Sequence, residues 1–279
     1  QEAHRRRLSS AFVGRRDEIE TIRRFCDPMN LDGMLDGVVG DDIGNPVGRL
    51  RWERSPRRLS VLGPSGAGKS ALAARAVDVL REEGSDAPLG SPQVSFVSAG
   101  VTTASDRLSV CLLVLLAQLS PGTANELADR LGPDEIDLQD VLGPWSAAFD
   151  GGASRRVAVI DGVDRLRVEP GQSITLSWLP PTLQFQNRIV VTAAEETLSY
   201  VVLRTHTGGR VLDLGELSAE DAMELIRGRV EAHHRALPDG VEELLVARSC
   251  LARWLVVATD LLLTLSSYDY ETVERAVAD

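Results

Sequence analysis

Gly63-Pro-Ser-Gly-Ala-Gly-Lys69-Ser70 is the segment that most constrains this chain. It fits the pattern G-x-x-x-x-G-K-[ST], which has a structural meaning only where it follows a strand and opens a helix. Both flanks are present. Arg58 to Leu62 is a short strand-like run ending at Gly63, and Ser70 to Arg81 has helical spacing. Lys69 is also the only lysine of the chain; the other 29 of its 30 basic Lys and Arg residues are arginine. Arginine serves wherever a generic positive charge suffices. The compact ammonium on a flexible stem is kept for one position.

Such a loop points backbone N–H groups at one spot, and the helix N-terminus adds partial positive charge. Gly63, Gly66 and Gly68 permit a tight turn and close approach of a phosphate. Lys69 is placed to reach β- and γ-phosphate oxygens, and the Ser70 hydroxyl to ligate Mg²⁺. The candidate nucleotide contacts are therefore Gly63, Pro64, Ser65, Gly66, Ala67, Gly68, Lys69, Ser70 and Ala71.

A second motif is Val157-Ala-Val-Ile160-Asp161-Gly162-Val163-Asp164. An apolar strand ending in an acid sets a carboxylate at the sheet's carboxyl edge, beside the loop. Asp161 can then hold Mg²⁺ through water. Asp164, three residues on, has two readings: orienting or deprotonating an attacking water, or capping the next turn. Thr192 ends the strand Ile189-Val-Val-Thr192 and also has two, a sensor of hydrolysis or a strand-end hydroxyl bonded to the backbone.

The remaining chemistry is sparse. His233-His234 is an adjacent pair on a helix, so the rings diverge and read as surface groups. No G-x-S-x-G elbow is present. Cys26, Cys111 and Cys250 are odd in number and lack metal-ligand spacing, so three buried thiols in a reducing cytoplasm are expected. The net charge of −11 argues against nucleic acid or anionic lipid as a partner, and the runs Arg5-Arg6-Arg7 and Arg57-Arg58 are expected to be solvated. No segment has the apolar length of a membrane span; Leu255 to Leu265 is broken by Asp260. A first residue Gln1 rather than Met, and a last residue Asp279 inside a helical pattern, lead to the expectation of a fragment of a larger protein.

The 279 residues divide into three parts. Residues 1–57 hold Phe12-Val13-Gly14-Arg15, a helix over Asp17 to Cys26 and a long loop or insertion over 27–57. Residues 58–216 alternate strand and helix. Strands are expected at Arg58 to Leu62, Gln93 to Ser98, Arg156 to Ile160, Arg188 to Val191 and Arg210 to Leu214, and helices at Ser105 to Leu119, Ala124 to Leu131 and Leu138 to Phe149. After Leu217 the strand signals stop. Ser218 caps a helix carrying Ala222, Leu225, Ile226 and Val230 on one face, and further helices are expected at 241–248, 251–266 and 270–278. With an aromatic content of only 4%, Val, Leu, Ile and Ala must build the core.

Together these segments resemble the STAND class of P-loop NTPases, and within it the NACHT group. Phe12-Val-Gly-Arg15-Arg-Asp-Glu18 is similar to the family's N-terminal Gly-Arg-x-x-Glu segment, which lies near the nucleotide base and implicates Val13, Gly14 and Arg15. Asp161-Gly162-Val163-Asp164 resembles the NACHT form of the second motif. Trp178-Leu179-Pro180 is similar to the variant of telomerase-associated and nephrocystin-like proteins and their bacterial relatives. Leu214-Gly-Glu-Leu217-Ser218 matches the family's passage into its helical subdomain.

This chain has Leu251-Ala252-Arg253-Trp254-Leu255 where many relatives carry a Pro-Leu pair, and Thr192-Ala193-Ala194 where others carry an arginine. Arg165 stands where an acid or amide is common.

The resemblance implies an α/β fold with a parallel sheet of order 5-1-4-3-2 flanked by helices, followed by a small helical lid over 217–279. It implies ATP or ADP with Mg²⁺ as cofactors, homo-oligomerisation on activation, and sensor and effector domains outside these residues. The implied function is a cytoplasmic, slowly hydrolysing switch in bacterial defence or transcriptional control. A hydrolysis-poor scaffold that holds nucleotide constitutively stays open as the alternative. A small-molecule kinase is disfavoured, because no acceptor site is suggested.

Overall fold

The computed structural model describes residues 1–10, 12–27, 56–82, 91–102, 104–131, 136–151, 154–167, 178, 183–184, 186–206 and 209–264. Five strands form one sheet: β1 (Arg58–Gly63), β2 (Gln93–Ser98), β3 (Arg156–Asp161), β4 (Arg188–Ala194) and β5 (Gly209–Asp213). Their spatial order is β2-β3-β4-β1-β5, with every neighbouring pair parallel. This is the order 5-1-4-3-2 expected above. β1 is buried along its whole length, and β3 and β4 nearly so, because helices cover both faces.

Alternation along β3 sorts its side chains between two cores. Ala158 and Ile160 join the cluster under α4 (Leu108–Leu119), α5 (Pro121–Leu131), α6 (Leu138–Asp150) and α7 (Leu198–Thr205). Val157 and Val159 join the cluster under α2 (Arg16–Cys26) and α3 (Lys69–Glu82). A third cluster lies among α8 (Ala219–Ala232), α9 (Val241–Arg248) and α10 (Ala252–Thr264). In α8, Ser218 accepts from Asp221 N at 3.0 Å as the N-cap. Asp260, the charge that interrupts the apolar run of α10, accepts a fork from Arg229 of α8, with Nε at 2.9 Å and Nη2 at 2.6 Å. That pair fixes two helices of this cluster side by side.

Several expectations need correction. A helix α1 (Glu2–Ser10) precedes α2, and Arg5 is only 4% exposed rather than solvated. Its guanidinium pairs with Glu2 at 2.7 Å and with Asp78 of α3. Buried charges are tolerated when paired, and this partner lies on another helix, out of reach of local pattern. Arg6 and Arg7 are exposed as expected. α7 was also not foreseen, because only Ser199 and Leu203 are buried in it and they make too thin a stripe. α4 begins at Leu108 instead of Ser105, whose hydroxyl accepts from Val101 N and Thr102 N and closes a turn. Cys26 and Cys111 are buried and form no disulfide, whereas Cys250 is half-buried. The helix expected at 270–278, Leu179-Pro180, and nearly all of the 27–57 loop lie outside the described residues. Among those described, no helix is long and apolar enough to cross a membrane.

Candidate functional site

Parallel register brings the chemistry-bearing segments to one edge. Gly63 pairs with Ala194, Val61 with Thr192, and Ser98 with Asp161. The carboxyl ends of β1, β2, β3 and β4 therefore open beside the first turn of α3. That is where ligands bind in open parallel sheets.

Gly63 is required by proximity: a Cβ there would lie 2.1 Å from the Leu214 carbonyl oxygen. The chain then turns through Gly66 and Gly68, at φ of 90° and 96°. Ala67 N donates to Pro64 O at 3.2 Å and tightens the loop. Lys69 and Ser70 open α3, where amides have no preceding turn to bond. The Lys69 ammonium folds back over the loop and donates to Gly63 O at 2.8 Å and Pro64 O at 2.7 Å. With three donors it retains one for a ligand. Burial lowers its pKa below the ordinary range, against the opposing pull of Asp164, Asp161 and Glu195.

Asp161 is fully buried and both of its oxygens are engaged. Ser98 Oγ donates to Oδ2 at 2.6 Å, and Thr192 Oγ1 donates to Oδ1 at 2.7 Å. Thr192 Oγ1 in turn accepts from Gly162 N at 2.8 Å. Thr192 thus has its hydroxyl committed to orienting the carboxylate and the turn after it. Ser98 was not anticipated from sequence; a serine ending a strand becomes informative only once β2 is known to lie in register with β3. Replacing Thr192 by valine keeps the shape and removes the hydroxyl. The expected cost is about 1–3 kcal/mol in chemical unfolding, since Gly162 N and Asp161 lose their partner in a dry site.

Asp164 sits in a single 3-10 turn, Val163–Arg165, and its Oδ1 accepts from Ala194 N at 3.1 Å. It therefore ties β3 to β4, and its second oxygen has no partner among the described residues.

Val13, Gly14 and Arg15 reach the site from the other side. Arg15 has a left-handed backbone and is 6% exposed. One of its nitrogens donates to Glu18 at 2.8 Å, and another to Ala67 O at 3.3 Å and to Gly215 O. Its amide donates to Asp221 of α8 at 3.1 Å. Val13 packs against the cluster of α8, α9 and α10. From that cluster Arg253 N donates to Gly66 O at 2.9 Å. One buried arginine and one backbone bond therefore connect the loop to the C-terminal helices. His233 and His234 are exposed and lie outside this arrangement.

The donor set fits Mg²⁺ in one manner. Among the described residues no group of three or more His, Cys, Asp or Glu could hold a metal. A metal cage made of protein side chains is thus not offered by them. A hard cation that keeps most of its waters needs only one or two protein oxygens beside phosphates. Ser70 Oγ can supply one directly, and the sealed carboxylate of Asp161 can act through water.

A scan of protein-family models returns no match, and a search of curated proteins returns none either. Solved structures do resemble the chain. One is a Walker-type ATPase of Pyrococcus abyssi, at 12% identity and TM-score 0.50, covering 86% of this chain and 71% of that one. Another is a chain of the HORMA:CdnC:Trip13 complex of E. coli MS115-1, at 14% identity and TM-score 0.51, covering 99% and 90%. A third is PCH-2 of C. elegans, at 11% identity and TM-score 0.53, covering 99% and 69%. At such identities the likeness speaks to architecture, and the parallel five-stranded sheet flanked by helices is the fold that this chain shares with the Walker-type ATPase.

Proposed function

We propose that the chain binds ATP or ADP with Mg²⁺ on the Gly63–Ser70 loop and serves as the nucleotide-dependent switch of a STAND-class regulatory ATPase of the NACHT type. The observation that carries this is the meeting of three segments at one loop. Arg15 holds Ala67 and Gly215, Arg253 N holds Gly66, and Asp221 holds the Arg15 amide. A phosphate chain in the loop would touch the sheet and the C-terminal helices together. Any contact made to a γ-phosphate but not to ADP then shifts the balance between two arrangements of those helices. Exchange of ADP for ATP would release the helices and permit assembly with further copies. Sensor and effector segments would act through that release, in bacterial defence or transcriptional control.

The loop amides and Lys69 would neutralise the phosphates. Ser70 and Asp161 would hold Mg²⁺, which when bound offsets charge on the β- and γ-oxygens. Thr192 and Ser98 hold the Asp161 carboxylate in one orientation. The free oxygen of Asp164 can orient a water for slow hydrolysis.

A scaffold that keeps its nucleotide is the second reading. It is favoured by β4, whose tip offers only Ala193 and Ala194 beyond a threonine already committed to Asp161. Sedimentation with ADP and with β,γ-methylene ATP separates the two. A switch assembles with the ATP analogue alone, and equal behaviour with both supports the scaffold. For the chemistry, Asp164→Asn is expected to leave affinity within about twofold and to slow turnover about a hundredfold. Equal losses in affinity and turnover would assign Asp164 to capping only.

A further inference from the structure

Arg165 lies beside the loop and forms no ion pair among the described residues. It ends the 3-10 turn that follows β3. Its guanidinium bonds only neutral oxygens, Ala99 O and Ser70 Oγ, both at a long 3.4 Å. No carboxylate among the described residues pairs with it, although three acids are near in sequence or space. Asp161 is bonded by Ser98 and Thr192, Asp164 accepts from Ala194 N on one oxygen and keeps the other, and Asp106 is taken by Arg167 at 2.9 Å. The side chain is exposed, so its remaining donors face solvent.

The arm is guided as well as free. Gly100 and Gly162 both have positive φ, and the stem passes over them. A Cβ on Gly100 would lie 3.5 Å from Arg165 Cβ and Cδ; one on Gly162 would lie 3.1 Å from its Nε. Two glycines thus form the track along which the guanidinium extends toward Ser70. At the far end it reaches the hydroxyl of Ser70, the residue after Lys69. An exposed guanidinium bonded to a residue of a phosphate loop is stabilised by an anion placed there.

We infer that Arg165 is the γ-phosphate-reading residue of this site, the group by which the chain distinguishes a nucleoside triphosphate from a diphosphate. The inference rests on the nucleotide site proposed above. Loop amides cradle the inner phosphates, whereas the hydroxyl at the Ser70 position serves the metal shared by the β- and γ-oxygens. A guanidinium hydrogen-bonded to that hydroxyl therefore stands at the outer end of the phosphate chain. A diphosphate offers it no γ-oxygens to bind. A triphosphate offers it two charge-assisted bonds in fork geometry.

The test is titration calorimetry of the unaltered protein, Arg165→Ala and Arg165→Lys, each with Mg²⁺ and either ADP or β,γ-methylene ATP. The expected result for Arg165→Ala is a loss of about tenfold or more in affinity for the triphosphate analogue, with ADP affinity within about twofold. Arg165→Lys should recover part of that loss, because charge returns without the planar fork. Equal losses for both nucleotides, or none for either, would overturn the assignment while leaving the nucleotide site standing. An unaltered protein that binds neither nucleotide would overturn the site itself, and this role with it. Thermal unfolding of the free variants distinguishes a lost contact from a lost fold, and an exposed side chain predicts no shift.

Discussion

Lys69→Ala should lower affinity for ADP and for β,γ-methylene ATP by about a hundredfold or more. The substitution removes the one ammonium at the loop, and with it a charge-assisted bond to phosphate of about 3 kcal/mol. Arginine is not expected to rescue. Its planar fork cannot replace a point charge that folds back onto Gly63 O and Pro64 O while keeping a third donor free. Stability should change little, because Gly63 O keeps its bond from Glu195 N at 3.0 Å and Pro64 is only half-buried. Calorimetric titration checks affinity and thermal unfolding checks the fold. Unchanged affinity would remove Lys69 from any binding role.

Gly63→Ala should be strongly destabilising. The added carbon would lie 2.1 Å from Leu214 O, and the atom it meets is backbone. Leu214 cannot yield easily: its amide donates to Leu62 O at 2.6 Å and its side chain is 1% exposed in the core. Overpacking against a fixed backbone is expected to cost about 3 kcal/mol in urea unfolding. Because Gly63 also carries a carbonyl that holds Lys69, nucleotide affinity should fall with stability. A loss below about 1 kcal/mol would mean that the segment joining β5 to α8 slides freely along β1.

The strands were legible because this sheet is covered on both faces. Val157 to Ile160 and Ile189 to Val191 read as unbroken apolar runs for that reason, and Ser218 announced α8 by a capping interaction made within three residues. α1 was not legible. Its burial depends on Arg5 meeting Asp78 across 73 positions, and on Gln1 pairing its side chain with the Ser98 backbone across 97. Nothing in a polar run beginning Glu2-Ala-His-Arg5 signals such partners. Thr192 could be placed at a strand tip but not assigned a duty, since its partners Asp161 and Gly162 become neighbours only through sheet order.

By itself the sequence determined the loop, the carboxylate strand and the α/β order, because each is specified by short-range spacing and by which residues can be buried. Only the tertiary structure decided what each polar group does once assembled. It sealed Asp161 between Ser98 and Thr192, set Arg15 and Arg253 as the links from the loop to the C-terminal helices, and gave Arg165 no acid partner among the described residues. The physical reason is that a hydrogen bond or an ion pair is a property of two groups. Spacing along the chain names the first, and only packing brings the second within reach.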